Sequence, residues 1–234
     1  MCRKRPPFAA LEHVDLLYSS RRLWKLRLES CRLVELENRI LGVERQGDIP
    51  GNMIPYVYFD YVRNQGAGGL MAVFDHNEMD ILTLACLSGI VPLAFRVPEE
   101  IGARHGAELA GLGRWWRQMN EPEHALTLFR RAVDCGLCDD LLFRTLWDIS
   151  RLEKKLGRED AALAVWSDLA ASRNAFQFSA LEELAKYYER RERNYSMALE
   201  MTRMALQLQR TPAMEQRRAR LEKRLAAPGN GSLL

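Results

Sequence analysis

His76 and Asp80 stand four residues apart in Leu70-Met-Ala-Val-Phe-Asp-His-Asn-Glu-Met-Asp-Ile-Leu-Thr-Leu-Ala-Cys-Leu87. Leu70, Val73, Phe74, Ile81, Leu84, Ala85 and Leu87 recur with helical spacing, so the stretch predicts a helix with one buried face. On that helix His76 and Asp80 lie one turn apart on the same side. An imidazole stacked on a carboxylate in this way has the makings of a divalent-cation site with a base for its water. The same spacing also describes an ordinary exposed pair, worth a few tenths of a kcal/mol. Cys135-Gly-Leu-Cys138 has the spacing of half a zinc site. No second cysteine pair follows, and tetrahedral zinc needs four ligands, so the pair is expected at a turn between helices. Trp115-Trp116 could offer an aromatic surface to bases, but helical packing accounts for one of the two. No glycine-rich phosphate loop and no supported Ser/His/Asp or Cys/His arrangement is present.

The elements that must position His76 and Asp80 come before them. His13-Val-Asp-Leu-Leu17 has the length and apolarity of a buried strand. Ser19-Ser20 offers a cap for a basic segment ending near Leu28, and Ser30 one for a helix from Cys31 to Leu41, with Gly42 beyond its end. Asp48-Ile-Pro-Gly-Asn52 is a turn, and Pro55 opens an aromatic-rich helix from Tyr56 to Arg63. Gln65-Gly-Ala-Gly-Gly69 links it to the helix of His76. A single strand is odd, because a sheet needs partners.

Val97-Pro-Glu-Glu100 marks a change of character. Beyond it the chain predicts helix after helix with internal similarity. Ala125, Ala162 and Ala198 are separated by 37 and 36 residues. Leu112-Gly113, Trp116, Ala125, Phe129 and Ala132 fall at the offsets of a tetratricopeptide repeat, whose period is about 34. Gly157, Ala162 and Trp166 continue the pattern, as do Tyr195, Ala198 and Ala205, with Lys186 where a small residue belongs. Small residues let paired helices approach, and large aromatics fill the space between pairs. Arg210 to Arg224 predicts a charged capping helix.

Composition sets outer bounds. A 47% hydrophobic and 28% charged chain with a net charge of +3 is that of a globular protein. Neither half is basic enough to argue nucleic-acid binding from its field alone. The longest nearly apolar run, Ile81 to Phe95, is 15 residues and contains Pro92. It is expected to be too short and too broken to span a bilayer. The start lacks the apolar stretch of a signal peptide, and five cysteines without a framework suit reduced thiols, so a cytoplasmic location with no membrane partner is expected.

From His13 to Leu87 the chain resembles the YprB-type RNase H-like family, relatives of the DEDD exonucleases. The resemblance rests on His13-Val-Asp-Leu-Leu17, Arg21-Arg-Leu-Trp24, Leu28-Glu-Ser-Cys-Arg-Leu33, Leu36-Glu37 and Leu41-Gly42. It continues through Asp48-Ile-Pro-Gly51, Ile54-Pro55, Tyr58, Tyr61, His76-Asn77, Asp80-Ile81 and Leu84. Members often carry tetratricopeptide-like helices afterwards, and Leu181-Glu-Glu-Leu-Ala-Lys-Tyr-Tyr-Glu189 looks like theirs.

The resemblance implies a 3′-5′ exonuclease-related module acting on DNA or RNA, in which four carboxylates hold two Mg2+ or Mn2+ ions. It makes His76 the water-activating catalytic residue and Asp80 a catalytic residue and metal ligand. The family's Asp-x-Glu and second Asp belong upstream of His13, where only Glu12 is acidic. Asp15 is the one nearby substitute. The chain is therefore expected to be N-terminally truncated, to bind no metal stably and to be inactive alone. The expected architecture is mostly α. Residues 1–97 form the C-terminal part of an RNase H-like α/β fold with one or few strands, 98–227 an all-α tetratricopeptide-like array, and 228–234 a disordered tail. The alternative is a non-catalytic tetratricopeptide-like scaffold whose helices bind a protein or peptide partner.

Overall fold

A computed structural model describes residues 14–64, 66–98 and 105–226. The chain divides into two compact units, Met1–Arg104 and His105–Leu234. The tail expected at 228–234 lies outside the described residues, as does His13.

The first unit is helical. Helices α1 (Leu16–Trp24) and α2 (Leu33–Leu36) are followed by a π-helical turn, Glu37–Leu41, then by α3 (Ile54–Asn64) and α4 (Leu70–Arg96). The expected α/β fold is not present: among the described residues there is no strand. The segment read as a strand starts a helix because Asp15 accepts a hydrogen bond from the Leu17 amide at 2.8 Å. That cap satisfies a free amide of the first turn, and with no second strand among the described residues to pair with, the carbonyls of Leu16 and Leu17 are left to the helix. Asp15 is thus a helix cap rather than the end of an inner strand. Downstream, the π-turn closes on Gly42 at φ 70, a left-handed terminus that glycine adopts without strain.

α4 is the spine of this unit. Thr83, Leu87, Val91 and Ala94 form its buried stripe. It is 27 residues long and runs through Pro92, which therefore does not break the apolar run. By length and composition α4 is long and apolar enough to cross a membrane, a correction to the expectation from the 15-residue run. Much of its apolar surface is uncovered: Phe74 and Ile81 are 60% and 67% exposed. No residue of α3 is buried. The core is small, gathered around Leu23, Trp24, Leu28, Leu36 and Leu87.

The second unit is a run of helical hairpins: α5 (Gly106–Gln118) with α6 (Pro122–Asp134), α7 (Asp139–Lys155) with α8 (Glu159–Ala171), and α9 (Gln177–Arg190) with α10 (Tyr195–Leu208). α11 (Pro212–Ala226) closes it against α10. Ala125, Ala162 and Ala198 are all fully buried, one in the second helix of each hairpin. Gly113 is required by packing, because a Cβ there would sit 2.7 Å from two ring carbons of buried Phe129. Trp166 joins Leu169, Leu181 and Leu184 in a core that spans the second and third hairpins. Ion pairs from Arg130 to Glu153 and from Lys154 to Glu183 tie successive hairpins together. Lys186 is half-buried and pairs with Glu182 at 3.0 Å and Glu183 at 2.8 Å. α11 is charged, yet Leu221 and Met214 are buried and Arg217 pairs with Glu189.

Candidate functional site

α4 brings His76 and Asp80 together, with His76 Nε2 at 3.5 Å from Asp80 Oδ2. They are part of a larger cluster whose centre is Arg45. This arginine follows the π-turn and is only 6% exposed. Its Nε donates to Glu37 Oε2 and its Nη2 to Glu37 Oε1, both at 2.5 Å. The same Nη2 donates to Asp80 Oδ1 at 2.6 Å, and Nη1 to Asp48 Oδ2 at 3.1 Å. Asp48 Oδ1 lies 2.8 Å from His76 Nδ1. Two acceptors do not bond each other, so Nδ1 carries a hydrogen and the 3.3 Å approach of Arg45 Nη1 to that nitrogen is a packing contact.

Local structure explains the convergence. The π-turn places Glu37 toward α4, where it is fully buried and accepts from Thr83 Oγ1 at 2.6 Å. Gly42 reverses the chain, and Gly47 at φ 70 turns the following loop so that Arg45 and Asp48 both face His76 and Asp80. A cleft of about 200 Å³ adjoins the cluster, lined by Arg45, Asp48, Ala72, Asp75 and Met79.

Burial drives the Glu37 carboxyl up, but hydrogen bonds from Arg45 and Thr83 outweigh it and hold the group below its ordinary value. Asp48 behaves alike: burial raises it, and the hydrogen bonds from His76 and Arg45 leave it lowered. The Glu37 hydrogen bond dominates at Arg45 and raises its pKa despite burial, so this cation is permanent.

Spacing in the sequence found His76 and Asp80 but not Arg45, Glu37 or Thr83. Asp48 and Glu37 stood among the residues of the family resemblance, without a role. The usable signal for Arg45 was a lone arginine three residues before Asp48, which is thin.

The other candidates separate. Cys135 and Cys138 are exposed free thiols at the turn after α6. Trp115 and Trp116 meet edge to face at 4.8 Å, and Trp116 stacks on His124 at 4.8 Å. Among the described residues, no group of three or more His, Cys, Asp or Glu side chains is placed to hold a metal ion.

Residues 2–91 match the sequence model of the RNase H superfamily. Over these residues the first unit is similar in sequence to that superfamily. The chain is 31% identical over 198 residues to the uncharacterized protein YprB of Bacillus subtilis (strain 168), which takes in 84% of this chain and 47% of YprB. It therefore spans about half the length of that relative. No solved structure matches it. The matched segment contains every member of the Arg45 cluster.

Proposed function

We propose that this chain is a nucleic-acid-binding module related to 3′-5′ exonucleases, joined to a tetratricopeptide-like array, and that these 234 residues do not cleave nucleic acid by themselves. The observation carrying the proposal is that the RNase H superfamily match includes His76 and Asp80, and that α4 holds the two side by side, with their partners Arg45 and Asp48 lining a cleft.

The donor set does not fit a two-metal centre. Two dications need several anionic ligands in open geometry, and Asp80 is here engaged by Arg45 at 2.6 Å. No catalytic step is therefore assigned to a metal in this chain.

Fluorescence anisotropy with labelled single-stranded DNA and RNA tests the binding. Salt-dependent association with Kd of roughly 10⁻⁴ to 10⁻⁶ M, the ordinary non-specific range, is expected. No association with either at low salt contradicts the proposal.

One observation favours a second role, as a scaffold for a protein or peptide partner. A groove of about 220 Å³ in the second unit is lined by Lys154, Trp166, Lys186, Tyr187 and Arg190. The buried indole Nε1 of Trp166 has no hydrogen-bond partner there. Binding of a peptide that Lys186→Glu abolishes would support this role, and no change on that substitution would count against it.

A further inference from the structure

We propose that Arg45 is the resident cation of this corner, holding Asp80, Asp48 and Glu37 in the way a divalent ion would, and that it keeps divalent metals out. The inference concerns the same residues as the RNase H-like proposal but does not depend on nucleic-acid binding, which a separate assay reads.

Three carboxylates converge on one guanidinium. Glu37 has no solvent exposure and spends both oxygens on Arg45, with Oε1 also taking the Thr83 hydroxyl. Asp48 divides its oxygens between Arg45 and His76. Asp80 gives Oδ1 to Arg45 and turns Oδ2 toward His76. Each carboxylate that could ligate a metal already has a charged hydrogen-bond donor, and the donor cannot lose its proton near neutral pH.

A metal entering between His76 and Asp80 would have to displace Arg45 Nη2 from Asp80. The guanidinium could not simply swing aside, because its Nε and Nη2 edge is fixed on a carboxylate with no access to water. A position beside Asp80 alone offers one carboxylate oxygen and one imidazole nitrogen, a weakly anionic set that holds Mg2+ or Mn2+ poorly without further carboxylates. Removing the guanidinium charge changes this. Asp48, His76 and Asp80 would then form an uncompensated anionic group on one side of α4 and its facing loop.

The test is Mn2+ binding followed by loss of the free-ion electron paramagnetic resonance signal on titration with the full chain. Wild type is expected to leave the signal unchanged at sub-millimolar Mn2+. Arg45→Gln, which keeps a donor for Glu37, and Glu37→Gln/Arg45→Met, which removes the buried pair together, are expected to gain at least tenfold in Mn2+ affinity. Adding Asp80→Ala to either is expected to abolish that gain. Saturable Mn2+ binding by wild type that Asp80→Ala removes would overturn the proposal. So would folded variants, verified by circular dichroism, that bind Mn2+ no better than wild type.

Discussion

Glu37 and Arg45 form a side-on pair eight residues apart, with two hydrogen bonds of 2.5 Å and the carboxylate fully buried. The pair fastens the loop after the π-turn to the helix that carries His76 and Asp80. Removing one partner leaves the other as an uncompensated buried charge, whereas removing both does not. Arg45→Ala is therefore expected to destabilise the first unit by about 3–5 kcal/mol. Glu37→Leu/Arg45→Met should recover most of that loss. Urea unfolding of the three proteins checks this, and an Arg45→Ala cost below about 1 kcal/mol would show the pair to be a weak surface-like bridge.

The carboxylates around Arg45 set a pH dependence. Glu37 and Asp48 have folded-state values below their ordinary 4.5 and 3.8. A depressed carboxylate contributes stability that is present above the unfolded value and is lost as pH falls through the folded one. The stability that these two carboxylates contribute should thus be fully present at neutral pH and be lost progressively as pH falls below the ordinary carboxylate range. Glu37→Gln/Asp48→Asn should flatten this acid limb. Denaturant midpoints measured from neutral to acid pH give the comparison, and equal acid limbs in both proteins would contradict the assignment.

How much of this was visible in the sequence depended on range. His76 and Asp80 are one helical turn apart, so their proximity follows from local periodicity. Arg45 reaches Asp80 across 35 positions and Thr83 reaches Glu37 across 46, and no local pattern encodes such contacts. The strand expected at His13–Leu17 is not present in its described residues, because a short run with Val14, Leu16 and Leu17 apolar fits either state. The carboxylate of Asp15, a local capping signal, decided it. Pro92 suggests a break, yet the helix continues through it, because proline lacks only its own amide hydrogen bond. In the second unit small residues at regular intervals were legible because their packing role is repeated: Gly113 meets Phe129, and Ala125, Ala162 and Ala198 are each enclosed.

Gly113 offers a sharp packing test. Phe129 is fully buried, so a new Cβ at 2.7 Å must displace a packed ring. Although alanine is the better helix former, Gly113→Ala is expected to cost about 1–3 kcal/mol through overpacking. Thermal unfolding would show a lowered midpoint. A raised midpoint would mean that helix propensity outweighs the contact.

On α4 the two sides should respond in opposite ways. Leu87 is 1% exposed, and Leu87→Ala should cost about 2–5 kcal/mol. Ile81 is 67% exposed, and Ile81→Ala should change stability by no more than about 0.5 kcal/mol. Comparable losses from both substitutions in denaturant unfolding would show that Ile81 is covered in solution.

The most direct test of the central claim is incubation of a 3′-labelled single strand with the purified chain in Mn2+, beside His76→Ala and Asp80→Ala. The account predicts an intact strand in all three reactions, while the chain still retards the labelled strand in a native gel. Degradation by the chain that both substitutions abolish would contradict it, and would place a complete catalytic centre around His76 and Asp80.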